Sequence, residues 1–356
     1  MNRTMRNVLC SLLIGLILLV GVSACSSYHS QNNAKSAETG VAAVQKTRTV
    51  TDMFGRSVTV PAKVNSIATF RAAGVLNTFI ECLGKGDCIV NKMPANFTKT
   101  DRWAMQYKFA PQIKDAPLLE NANGVDIEAT LALKPDVCVT MTQSIADQLQ
   151  EHNIPCIVLK WSNTDEIRQA VSLMGDVLGV PERSAKYQKY FDSMMDKAQG
   201  IVKTIPIEKR KKALFADVKS LMNPHEISEW WIEKAGGISV TKKKIRKGPL
   251  KYTMEELLSW QPDVIFSMNL NISDIFNDPA LAEIPAIMHK SIYPIPTVGH
   301  IWGLCTVEEP LTVMWAIHKM YPDLYSQVNL TQDIKYFYKE FFNYSMSDQE
   351  LKKIIG

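Results

Sequence analysis

Arg71, Lys92, Met141, Thr142, Lys160, Trp161, Lys219 and Asn269 share one property: each stands just beyond a short apolar run that reads as a β-strand. His300 and Trp302 occupy a loop after another such run. In an open parallel sheet, ligands bind beyond the carboxyl ends of the strands. The cations in this set would complement negative charge. Arg71 also precedes an apolar helical stretch, whose free amide hydrogens favour an anion; a surface ion pair is its alternative role. Trp161, Trp230, Trp231 and Trp302 could stack on a flat or greasy ligand, with core packing as the alternative for each. His300 is either a metal ligand or a hydrogen-bonded loop residue. The expected ligand-binding set is therefore Arg71, Met141, Trp161, Lys219, Trp231, Asn269, His300 and Trp302.

The spacing points to binding and not to catalysis. The chain has no G-x-S-x-G elbow, no P-loop and no metalloprotease helix motif. Its 6 histidines show no paired spacing such as H-x-x-x-H. A bare zinc ion needs several protein ligands, about four in structural sites. No catalytic residue, resident metal or cofactor is expected, and the ligand suggested is a pre-chelated metal or an oxyanion. An exported enzyme of similar build and an adhesive lipoprotein are the readings from other classes.

The elements that position these residues are legible in the apolar pattern. Tyr187, Tyr190, Phe191, Met194, Met195, Ala198, Ile201, Val202 and Ile205 form one stripe at three-and-four spacing, which predicts a helix over Pro181–Ile205 with one buried face. Pro181 suits its first turn and Pro206 stops it. On either side the sequence echoes itself: EATLALKPDVCVT from Glu128 and EELLSWQPDVIFS from Glu255. Each copy reads as a short helix, a Pro-Asp break and a buried strand. Further strands are expected at 64–69, 88–90, 156–159, 213–218 and 291–296, alternating with helices at 164–179 and 310–321. Alternation of this kind argues parallel sheets. The fold class expected is α/β, with two Rossmann-like lobes joined by a single long helix: residues 49–180, 181–205 and 206–356.

Length and charge agree with that division. A chain of 356 residues is long enough for two domains with their own cores. Net charge is +4, of which Arg3 and Arg6 supply two, so nucleic acid is not an expected partner. Residues 1–24 combine a basic start, an apolar run and small residues before Cys25, the pattern of an export signal. Residues 25–48 are polar and aperiodic, as in a disordered tether. Of 7 cysteines, Cys138 and Cys156 sit in apolar runs as small hydrophobes, and Cys82 and Cys88 are spaced so that a disulfide is conceivable. Thr241–Lys251 is a dense basic loop, read as a solvated charge run that could add to the field of the cleft.

Taken in order, Val22-Ser23-Ala24-Cys25, TDMFGRSVTVP, the two E-x-x-L-x-x-x-PDV units, Ala235-Gly236-Gly237 and the HIWG…EEPL segment resemble a solute-binding protein of a bacterial ABC importer. The resemblance spans Thr49 to Phe342 and is to the group that carries iron-siderophores, haem, cobalamin and some metal or oxyanion ligands. It implies lipid attachment at Cys25, anchoring to a membrane outside the cytoplasm, and delivery of a metal chelate, or alternatively molybdate or tungstate, to a permease by a monomer. The family also docks through one surface carboxylate per lobe; Glu120 and Glu283 are the candidates here, against a plain solvated role.

Overall fold

The computed structural model describes residues 46–121, 124–244 and 248–355; Cys25, the leader, the tether up to residue 45 and Arg246 and Lys247 lie outside the described residues. The described chain opens with an antiparallel hairpin of Thr47–Thr51 (β1) and Ser57–Pro61 (β2), with Thr47 opposite Pro61. Ile67–Thr69 (β3) follows, then a small hairpin of Glu120–Asn121 (β4) and Gly124–Val125 (β5). Val137–Thr140 (β6) and Cys156–Val158 (β7) complete a parallel sheet in the order β3-β6-β7. The second half contributes Lys212–Ala216 (β8), Met222–Asn223 (β9), Ile238–Ser239 (β10), Leu250–Lys251 (β11), Val264–Ser267 (β12) and Ile292–Pro294 (β13). Its parallel sheet runs β10-β8-β12-β13, while β9 and β11 pair separately as an antiparallel ribbon.

The sequence echo is a structural repeat with a physical cause. In the first copy Asp126 caps the helix Ile127–Leu133 through Ala129 N, and Lys134 ends it in the left-handed region at φ 52°. In the second, Thr253 and Glu256 form a reciprocal cap on Met254–Trp260, and Gln261 ends it at φ 46°. The aspartate after each proline then fastens the neighbouring strand. Asp136 Oδ2 accepts from Asn65 N (2.7 Å) and Ser66 N (3.0 Å), just before β3. Asp263 Oδ2 accepts from Lys212 N (2.8 Å), the first residue of β8. Each Pro-Asp pair thus sets where two parallel strands begin beside one another.

The long helix spans Pro181–Val202, and the helix before it, Thr164–Leu178, is capped by Asn163 and closed by Gly179 at φ 67°. Strand alternation divides the core. Ile67, Val137, Val139 and Ile157 of one sheet and Ala213, Phe215, Val264 and Phe266 of the other belong to a single apolar cluster with Tyr187, Phe191, Met194 and Ala198 of the long helix. Intervening residues build a separate outer cluster in each lobe: Ala68, Cys138 and Val158 in the first, Leu214, Ala216 and Ile265 in the second. The lobes are therefore two sheets with private outer cores and one common inner core.

Some expected elements differ. Residues 88–90 form a 3-10 turn over Gly86–Cys88 and one parallel bridge from Ile89 to Ile67, because a single bridged residue does not extend the ladder. The long helix ends at Val202, before the tight turn in which Ile205 N bonds Val202 O (3.0 Å). The helix Gln327–Phe341 returns to the long helix, where Arg183 Nη2 donates to Glu340 O (3.1 Å) and Phe341 O (3.0 Å).

Candidate functional site

The carboxyl end of the first sheet carries three of the expected cations. Arg71 is exposed immediately after β3, Lys92 follows the Ile67–Ile89 bridge, and Lys160 follows β7. None has a carboxylate within ion-pair distance among the described residues. Lys160 Nζ lies 4.9 Å from the centre of the Phe54 ring. Lys92 is seated by Asn91, whose side chain donates to Thr69 O (2.8 Å) and accepts from Thr69 N (2.9 Å), and by its own amide on Pro117 O (2.9 Å). Met141 is half-buried beyond β6.

Trp161 joins this edge to the second half of the chain. Its ring lies 4.6 Å from that of Phe79, and its Nε1 donates to Cys305 O at 2.9 Å. The loop that carries Cys305 meets the first lobe at two more points, Arg102 Nε to Thr297 Oγ1 (3.0 Å) and Gln106 Nε2 to Gly299 O (2.9 Å), and the long helix at one, Tyr187 OH to Val307 O (2.8 Å). Segment 297–307 is thus a wedge, covalently part of the second half and hydrogen-bonded to the first.

The second lobe's expected residues are largely committed elsewhere. Lys219 Nζ pairs with Asp274 Oδ2 at 2.6 Å. Asn269 ties two strand ends together, its Oδ1 accepting from Val218 N (3.0 Å) and its Nδ2 donating to Asp217 Oδ1 (3.0 Å). Trp231 and Trp302 are fully buried. Trp231 packs edge-on against Phe215 (5.5 Å) and Phe266 (5.1 Å), so it presents no face to a ligand in this conformation, and core packing is the role the geometry gives it. Trp302 is enclosed in the same cluster. His300 is buried with its ring 4.9 Å from Trp103 and Nδ1 3.3 Å from Ile301 O. Burial pushes its pKa down to about 3, and the nearby Arg102 guanidinium works in the same direction, so the imidazole is neutral. Among the described residues no three His, Cys, Asp or Glu stand close enough to hold a metal ion.

The residues that position this wedge were not in the expected set. Glu308 accepts from Gly299 N (2.9 Å), His300 N (2.7 Å) and the Tyr338 hydroxyl. Glu309 accepts from Cys305 N (2.9 Å) and Thr306 N (3.3 Å). Both are fully buried; burial raises the pKa of Glu308, and that of Glu309 to about 8. Glu81, on the helix Ala73–Cys82, is buried beside Glu308 with neither oxygen hydrogen-bonded, and burial first, the Glu308 charge second, push its pKa well up. The adjacent pair in EEPL was the one trace of this acid cluster in the sequence. Glu120 is not a free surface carboxylate, since it accepts from Arg71 N; Glu283 is exposed. Lys242 and Lys244 of the basic loop pair with Glu233 and Glu256, which spends their charge locally. Cys82, Cys88, Cys138, Cys156 and Cys305 are buried free thiols, and no described helix is long and apolar enough to cross a membrane.

Comparison with known proteins gives a consistent result. The molybdate-binding protein MolA of Haemophilus influenzae is 23% identical over 341 residues, covering 84% of this chain and 92% of that protein. The iron(3+)-hydroxamate-binding protein YxeB of Bacillus subtilis is 23% identical over 310 residues, covering 79% and 88%. Among solved structures, a periplasmic solute binding protein from Veillonella parvula superposes with a TM-score of 0.75 at 24% identity, covering 87% of this chain and 97% of that one. MolA bound to molybdate superposes with a TM-score of 0.72 at 22% identity, covering 84% and 99%. With residues 89–298 matching the family profile, the chain belongs to the periplasmic binding protein family.

Proposed function

We propose that the protein is the extracytoplasmic solute-binding component of an ABC importer, lipid-anchored at Cys25, which captures a small anionic metal chelate and delivers it to a permease as a monomer. The observation that carries the ligand class is the row of cations at the carboxyl end of the first sheet. Arg71, Lys92 and Lys160 stand there without carboxylate partners among the described residues, next to the half-buried Met141 and Trp161. Unpaired cations beside sulfur and aromatic surface suit a ligand that is negatively charged at its centre and partly organic at its rim. Of the other expected residues, Asn269 and His300 support a strand end and a loop of the second half, Trp231 and Trp302 pack its core, and Lys219 is held by Asp274. No chemical step is assigned to the site.

A bare oxyanion is the second reading, supported by the molybdate-binding relative that aligns with most of the chain. The two readings separate in one experiment. Protein purified without residues 1–24 is taken to native mass spectrometry and elemental analysis, then titrated with a ferric hydroxamate chelate and with molybdate while intrinsic tryptophan fluorescence is followed. Saturable binding of the chelate supports the first reading and of molybdate alone the second. Binding of neither, with retention of a free divalent metal, overturns both.

A further inference from the structure

Arg71 has a backbone that an arginine rarely adopts. Its φ is +65°, and Ala72 N bonds Phe70 O at 2.9 Å, so a three-residue turn is centred on Arg71 between β3 and the helix Ala73–Cys82. Turns of this size with positive φ at the centre are the rare, strained kind for a non-glycine residue. Such a conformation persists only where its surroundings over-determine it. Phe70 N is fixed on Val139 O (3.0 Å), and Val75 N and Leu76 N both bond Ala72 O (2.8 and 2.9 Å). The remaining amide, that of Arg71 itself, is taken by the Glu120 carboxylate from the β4–β5 hairpin. The same hairpin accommodates the other end of the side chain: Gly124 has φ +124°, and a Cβ there would lie 3.5 Å from Arg71 Nη2.

We infer that Glu120 is a positioning residue, whose carboxylate holds Arg71 in this turn so that the guanidinium stands exposed at the carboxyl end of β3. The hairpin then serves as a bracket for one ligand-facing cation. The pairing of Glu120 with Val125 sets where the carboxylate lies. The guanidinium's part in ligand capture rests on the function proposed above; the grip on the turn does not.

The test uses the full chain without its leader. Glu120→Ala, Glu120→Gln, Arg71→Ala and the double variant Glu120→Ala/Arg71→Ala are titrated with ferric hydroxamate and molybdate, with thermal melts as a control for folding. Arg71→Ala should weaken binding about tenfold, one charge-assisted contact's worth. Glu120→Ala should approach that loss, the double variant should bind no worse than Arg71→Ala, and Glu120→Gln, which keeps an oxygen acceptor, should recover most of it. Losses that multiply in the double variant, or Glu120→Ala binding like the parent while Arg71→Ala does not, overturn the inference. Selective 15N-arginine labelling supplies a readout that needs no ligand. The Arg71 amide should shift strongly upfield in Glu120→Ala and little in Glu120→Gln; an unmoved amide refutes the positioning role even if neither probe binds the parent protein.

Discussion

Replacing Glu309 by glutamine should flatten the pH dependence of folding stability. Glu309 is fully buried, with Oε1 bonded to Cys305 N and Thr306 N and Oε2 without a partner. Its pKa in the folded protein is about 8 against an ordinary 4.5. Because the folded value is the higher one, the favourable contribution is complete below pH 4.5 and is lost as pH rises towards 8. One pKa unit corresponds to about 1.4 kcal/mol, so the full window is worth on the order of 5 kcal/mol, and each pH unit within it up to about 1.4 kcal/mol. Glu308 and Glu81 titrate in the same interior and couple to one another, so the parent's slope belongs to the cluster. The amide of Glu309→Gln retains an acceptor for both backbone groups and cannot ionise. Urea unfolding from pH 5 to 8 should therefore find the variant close to the parent at pH 5 and more stable by a few kcal/mol at pH 8. Identical slopes for the two proteins would refute the assignment of a buried, proton-holding carboxyl to this position.

Four further outcomes follow from the geometry. The His300 ring, held at a pKa of about 3, should show no titration by NMR between pH 5 and 8. Asp136→Ala and Asp263→Ala should each destabilise by about 1.5–3 kcal/mol in denaturant titrations, since each removes charge-assisted bonds to the start of a neighbouring strand. Lys219→Ala should lower stability by less than about 1 kcal/mol, the pair with Asp274 being exposed. Ligand affinity in Lys219→Ala should stay within about twofold of the parent, because that charge is already answered.

The framework of the fold was legible because it rests on local rules. The stripe from Tyr187 to Val202 lies on the helix whose buried face is Tyr187, Phe191, Met194 and Ala198. The Pro-Asp units gave both central strands to within a residue, since cap, break and β-run are adjacent in the chain. The site was less legible because its residues are defined by what lies across from them. Trp231 and Trp161 look alike in sequence, yet one is sealed between Phe215 and Phe266 and the other stands half-exposed against a loop that begins more than a hundred residues later. Asn269 ends a strand as expected, and only the placement of β8 beside β12 turns its amide towards Asp217 and Val218. Glu81 is buried beside Glu308, which lies more than two hundred residues later in the chain. Arg102 and Gln106 sit in a loop-rich stretch with no period, so nothing local marks them as the bridge to the wedge.

The inner apolar cluster has a consequence for how this molecule can be taken apart. Inward residues of both central strands share one cluster with the buried face of the long helix, which packs on helices of both halves. A fragment ending before residue 181 would expose the face of the helix Thr164–Leu178 that packs on the long helix, and one starting after 206 would expose the matching faces of the helices Ser228–Lys234 and Glu309–Met320. Neither half is then a transplantable module: a chimaera that borrows one sheet from a relative must borrow the matching face of the strut as well, and heating should melt the two sheets in a single step.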